Sequence, residues 1–139
     1  MVDPIAAVRA VLRADAAVAA LVGDRVYGGE LPRAAVDAMP RTAVVVSGAG
    51  GPGGGGYIDF AKVRLDVDCY GATPKEAWQL HLAVRTALKH LRRTVVKGVL
   101  LHSADVSADG SSGRDPDTDW PVTVSSYLLS VAEIAVDAA

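Results

Sequence analysis

Residues 62–91 read KVRLDVDCYGATPKEAWQLHLAVRTALKHL, and two periodicities inside this stretch decide the fold. From Lys62 to Tyr70 the residues alternate, with Val63, Leu65, Val67 and Cys69 on one face and Lys62, Arg64, Asp66, Asp68 and Tyr70 on the other. A period of two belongs to a strand with one buried face and one wet face. Gly71 supplies the corner. Thr73-Pro74-Lys75-Glu76 then forms a capping box: the Thr73 hydroxyl accepts from the Glu76 N–H and the Glu76 carboxylate reaches back to the Thr73 N–H. Pro74 sits at the first helical position, where no N–H is needed. Beyond it Ala77, Leu80, Val84, Ala87, Leu88 and Leu91 recur at three- and four-residue spacing, one helix stripe facing the sheet. Lys89, Arg92 and Arg93 crowd the last turn, where cations offset the negative end of the helix dipole. This unit is structural and carries no chemistry.

Outward toward the N-terminus, Asp3-Pro4 opens a first helix expected to run to about Leu21, with Ile5, Val8, Leu12, Ala16 and Ala19 as its core stripe and Gly23 ending it. Residues 25–27 read as a short strand, and residues 28–41 as irregular chain around a single helical turn at 33–38. The run TAVVVS, residues 42–47, is a second strand whose consecutive apolar side chains suit burial on both faces. Toward the C-terminus, residues 99–107 form a third long strand, and residues 108–119, ADGSSGRDPDTD, have the composition of an open loop. Residues 122–134 are the last strand, followed by a frayed tail. The order predicts an α+β fold: a mostly antiparallel sheet of four to five strands with two helices packed on one face.

At 139 residues the chain is expected to be a single domain, 1–139, with core enough to fold without disulfides or metals. Fourteen basic and 16 acidic side chains leave a net charge of −2, without the clustered basic excess of a non-specific nucleic-acid binder. The single cysteine, Cys69, excludes an intramolecular disulfide and a cysteine-based zinc site, and its place on the inward strand face predicts buried packing. The N-terminus lacks a secretory pattern, and charges interrupt every apolar run, so no membrane association is expected.

A search for chemistry returns little. GAGGPGGGG, residues 48–56, contains G-x-G-x-x-G after a strand, with Asp68 at roughly the distance of a ribose-binding acid. A dinucleotide site needs a helix N-terminus directly behind the last glycine to hold the pyrophosphate. Here more glycines follow and then the alternating strand, so the segment reads as a flexible hairpin connection. The cluster Asp109, Asp115, Asp117 and Asp119 lacks the spacing and flanking helices of a calcium loop. His81, His90 and His102 show no metal-ligand spacing, His81 and His90 falling on the charged side or end of a helix. No serine lies in a nucleophile elbow, and Asp66 and Asp68 share their strand face with Lys62 and Arg64, which compensate their charge. No catalytic residue, cofactor or metal is expected. Trp78 and Leu82, four residues apart and off the core stripe, and Trp120, beside the acidic loop, instead suggest a surface that meets partners.

Together these features resemble the tail terminator, or tail-completion (tail-to-head joining), proteins of long-tailed phages. The resemblance rests on the Ala-rich first helix ending in G-D-R-V-Y, on the D-P-D-T-D-W-P entry to the last strand, and above all on D-V-D-C-Y-G-A-T-P-x-E-A, Asp66 to Ala77. It implies a non-enzymatic virion protein of the tail neck, assembled in the host cytoplasm. Such proteins form a homohexameric ring that caps the tail tube, stops its polymerisation and joins it to the head connector, with DNA passing through the lumen unbound. Expected contacts are the chain itself, the tube protein and the connector or stopper, through Gly50, Gly51, Gly53, Gly54, Tyr57, Trp78, Arg114, Asp115, Asp117 and Trp120. A connector-side head-completion or stopper protein is the alternative, and a small nucleotide-binding enzyme using the glycine loop a more distant one.

Overall fold

The computed structural model describes residues 3–50, 53–54 and 60–132. Its elements are α1 (Pro4–Ala14), α2 (Ala16–Val22), β1 (Val26–Gly28), α3 (Arg33–Val36), β2 (Ala43–Gly48), β3 (Gly53–Gly54), β4 (Phe60–Tyr70), α4 (Pro74–Lys89), β5 (Thr94–Val96), β6 (Val99–Arg114) and β7 (Pro121–Ala132). The mixed α+β class is as expected, with more pieces than expected. Short β1, β3 and β5 take the described strands beyond four or five, and α2 and α3 take the helices beyond two.

The expected first helix is two. Asp3 caps α1, its carboxylate accepting from the Ala6 N–H at 3.1 Å. Asp15 then leaves helical geometry (φ −74°, ψ 125°) and its carboxylate accepts from the N–H groups of Ala17 and Val18, starting α2 afresh. Competition between a short acidic side chain and the helical backbone is the physical cause. The break resets the helical phase, so Ala16 is exposed where one continuous helix would bury it, and Val18 and Val22 face the core instead.

The sheet runs β1-β2-β4-β7-β6-β5, with β3 alongside β4. Among the described residues, β1 and β2 pair in parallel and the other pairings are antiparallel. β4 lies at the centre and pairs along its whole length with β7, from Phe60 opposite Ala132 to Tyr70 opposite Val122. Its inward face is the one the alternation predicts. Leu65, Val67 and Cys69 join Val44, Val46, Tyr127, Leu129 and Val131 under Leu80, Val84 and Leu88 of α4 and Val8 and Leu12 of α1. Cys69 is fully buried, and burial pushes its thiol pKa up, away from reactivity.

The opposite sheet face is not wholly wet. Val45, Tyr70 and Val122 form a second small core with Tyr27, Leu31, Met39 and Trp120 packed against it. Tyr70, expected on the solvated side of β4, is therefore only 8 % exposed. β2 is buried on both faces, as its consecutive valines imply.

The capping box of α4 is formed as read: the Glu76 N–H donates to Thr73 Oγ1 at 3.2 Å and the Thr73 N–H to Glu76 Oε2 at 3.1 Å. Gly71 serves close approach rather than a special turn conformation. A Cβ there would lie 2.5 Å from the Ala77 backbone nitrogen.

Three substitutions test this reading. Gly71→Ala should lower unfolding stability by about 1–3 kcal/mol by forcing the start of α4 off β4. Gly113→Ala, with nothing near its Cβ position, should stay within about 0.5 kcal/mol in the same denaturant titration. Asp15→Ala should cost about 1 kcal/mol through the lost cap of α2, read by the same method.

Candidate functional site: opposed loops and an open strand edge

The described glycines, Gly48, Gly50, Gly53 and Gly54, lie along β4. The Ala49 N–H donates to the Arg64 carbonyl at 2.8 Å and the Arg64 N–H returns to the Gly50 carbonyl. Gly50 adopts φ +83°, which suits a glycine. Gly53 and Gly54 pair with Lys62 and Ala61 as β3, so pairing extends into a segment read as flexible. Gly51 and Tyr57 lie outside the described residues. Among the described residues the next element after the glycines is β4, a strand and not the helix N-terminus that would hold a phosphate.

The acidic segment corrects the expectation most. Residues 108–114 are not loop: β6 continues to Arg114, with Ser111, Ser112, Gly113 and Arg114 opposite Val124, Thr123, Val122 and Pro121. β7, whose Thr123 and Ser125 are buried, draws these small polar residues into the ladder through register shifts between residues 101 and 111. Pairing overrides composition here. Only residues 115–120 form the connection, and it is self-contained. Asp115 Oδ1 accepts from the N–H groups of Asp117 (2.9 Å) and Thr118 (3.2 Å), the Asp115 N–H reaches the Trp120 carbonyl, and Arg114 donates to the Asp119 carbonyl at 2.9 Å. Asp119 takes φ +62° to close the turn. Trp120 sits half-buried with its ring edge-on to Tyr70, centroids 6.0 Å apart.

β4 places the two connections at opposite poles. The described glycines lie beside residues 61–64 and the acidic turn lies at the Tyr70 end, separated by about 20–30 Å of extended strand. The ten expected contact residues are thus not one site. Gly50, Gly53 and Gly54 hold one pole, and Arg114, Asp115, Asp117 and Trp120 the other.

Trp78 stands apart on α4, 40 % exposed, its ring 5.1 Å from that of His81. His81, expected on the charged side of the helix, is instead 1 % exposed. Its Nε2 lies 3.4 Å from Asp109 Oδ1, which also accepts from Arg85 Nε at 3.2 Å. Gly110 lets the ring approach: a Cβ there would lie 2.5 Å from His81 Nε2. This cluster ties the middle of β6 to α4. Burial holds the His81 pKa below its usual value, although Asp109 opposes the shift.

On the far sheet face Asp66 accepts from the Ser126 hydroxyl at 2.6 Å. Asp68 has its pKa raised by burial and then by the nearby charges of Asp66 and Asp115. Among the described residues no three histidine, cysteine or acidic side chains are grouped to hold a metal ion. The hollow beside α1, about 430 Å³, is lined by Arg9, Arg13 and Lys97 together with alanines, and includes none of the expected site residues. Sequence reading found the first part of β6, residues 99–107, and missed its continuation to Arg114, because residues 108–114 carry no strand signal.

The arrangement is a small α+β body with a glycine segment toward one end of its central strand and an acidic turn at the other. Comparison gives it a family. The model of the tail completion protein gp17 family matches residues 6–128, and the chain belongs to that family of structural phage tail proteins. The fold is shared with a chain in a solved structure titled "Virion of native gene transfer agent (GTA) particle", at a TM-score of 0.67 and 24 % identity, over 91 % of this chain and 92 % of that one. No curated protein matches the sequence.

The His81 cluster makes a pH prediction. With the folded pKa below the unfolded value of 6.5, the unfolded chain binds more protons as pH falls, so stability present above about pH 6.5 is lost toward lower pH. Thermal melts between about pH 7.5 and 5.5 should show that loss, with His81→Gln flattening the profile.

Proposed function

We propose that this chain is the terminator of a phage-type tail: a homohexameric ring seated on the finished tube, which stops polymerisation and presents a surface to the head connector. Membership of the tail completion family over residues 6–128 carries the reading. The bipolar subunit supports it, because a terminator has to offer one surface to the tube and another to the head side. The glycine hairpin and the acidic turn are well placed for those two contacts. A heterologous contact that closes on itself gives a ring of this kind. A net charge of −2 suits a lumen through which DNA passes without being held. The role requires no chemistry or cofactor, assembly occurs in the host cytoplasm, and the product resides in the virion.

A connector-side stopper would share the ring and differ in its neighbours. Electron microscopy of lysates from a phage carrying a stop codon in this gene alone separates the two. Full heads beside free tails of irregular, often excessive length are expected. Tails of uniform normal length beside unjoined heads would move the protein to the connector, and normal particles would remove the role.

A further inference from the structure

The hollow beside α1 is cationic, and no described carboxylate neutralises it. Arg9, Arg13 and Lys97 line it, and the remaining lining is alanine of α1. The start of β1 holds the two guanidiniums in place. The Val26 carbonyl accepts from Arg9 Nε at 3.2 Å and from Arg13 Nη2 at 2.7 Å, and the Asp24 carbonyl from Arg13 Nε at 3.2 Å. These bonds leave Arg9 Nη1 and Nη2 and Arg13 Nη1 without a partner among the described residues, and none of the three cations forms an ion pair there. Arginines fixed by backbone carbonyls and lacking a carboxylate are preorganised to receive one, because the guanidinium fork matches a carboxylate in two parallel bonds.

A hollow of opposite sign lies on the far sheet face. It measures about 240 Å³, and Asp68, Asp115, Ser111 and Ser112 line it beside the acidic turn. Arg114 also borders it but is engaged elsewhere, at the Asp119 carbonyl (2.9 Å) and carboxylate (3.9 Å). Neither Asp68 nor Asp115 has an ion-pair partner among the described residues. Burial, and then the charges of Asp66 and Asp115, raise the Asp68 pKa. An ionised Asp68 is thus a charge for which the described chain supplies no cation.

Register places the two hollows at one height. Val26, whose carbonyl holds both arginines, stands opposite Val44, Val44 opposite Cys69, Cys69 opposite Thr123, and Thr123 opposite Ser112. This row crosses the sheet from β1 to β6, about 20 Å, with the cations at one flank and the carboxylates at the other. Complementary surfaces on opposite flanks at equal height are joined by a rotation with little rise. A heterologous contact of that kind closes into a ring instead of climbing as a filament.

We propose that, in the ring, the Arg9–Arg13–Lys97 hollow of each subunit receives the Asp68–Asp115 flank of the next. The inference rests on the ring reading above and names the contact between subunits. The tip of the acidic turn, Asp117 to Asp119, stays free for the axial partner. A few exposed charge pairs are weak singly, so the contact forms on the tube end, where subunits are held side by side.

Stop-codon phage supplied with variant genes gives the readout. Arg13→Glu with Lys97→Glu should lower the yield of joined particles about tenfold or more, as should Asp68→Lys with Ser112→Lys. All four together should restore it, and that rescue separates a lost contact from a lost fold. Asp68→Asn adds a second separation: the free protein should melt no lower than the parent, since a crowded charge is removed, while the yield falls. On purified particles, Lys97→Cys with Ser112→Cys should oxidise to a ladder of linked chains reaching the full ring, and each single variant should link none. Roughly 40 Å of β6 lies between the two positions within one chain, far beyond a disulfide's Cα span of about 7 Å. Cys69 is buried, so every link joins two subunits. Joined particles without the ladder, a ladder ending at pairs, or a hollow defect that the reversed flank fails to rescue would each overturn the proposal. The last would give the hollow to another acidic partner or to DNA phosphate. Those results leave the stop-codon phenotype, and the terminator reading with it, untouched. Normal particles from the unsupplied stop-codon phage would instead remove the ring reading on which the contact rests.

Discussion

The antiparallel pairing of β4 with β7 is the constraint on which the rest depends. Eleven residues of β4, Phe60 to Tyr70, each stand opposite a residue of β7, and that register assigns every neighbouring side chain to a face. Leu65, Val67 and Cys69 come together with Tyr127, Leu129 and Val131 as the floor on which α1 and α4 rest. The same register sends Asp66 to Ser126 and Tyr70 to Val122 on the reverse side. A slip of one residue would turn both sets over, exposing the apolar floor and burying the aspartates. β2 and β6 then attach to the two sides of this pair, and the turn from β4 through the Thr73 capping box aims α4 back across it.

What could be read from the sequence follows from how local each signal was. The alternation at 62–70, the capping box and the stripe on α4 are all decided within a few residues, and all three are formed as read. Other features depended on parts of the chain far away in sequence. Tyr70 looks wet by alternation, yet Leu31, Met39 and Trp120 arrive to cover it. Residues 108–114 have loop composition, yet β7 supplies a ladder that composition cannot announce. His81 is polar and lies outside the apolar stripe, but Gly110 makes room for its ring and Asp109 supplies a partner. The break at Asp15 could have been found, because an aspartate between alanines is a cap as readily as a helical residue.

The candidate contact residues divide by the same logic. Composition singled out two unusual segments, the glycine run and the acidic run, without placing either in space. Topology sends the two segments toward opposite ends of β4. A family of structural tail proteins suits such a body, in which the segments expected to make contacts lie toward the ends of β4 while the centre is a packed core. Function of this kind depends on which surfaces the sheet leaves uncovered, and that is a property of topology more than of any motif.

The most direct test is where the protein sits. Gold-labelled antibody against this chain, applied to intact particles and viewed by negative-stain electron microscopy, should mark a single spot where the tail meets the head. Label along the whole tube, at the distal tip, or nowhere on the particle would contradict the account.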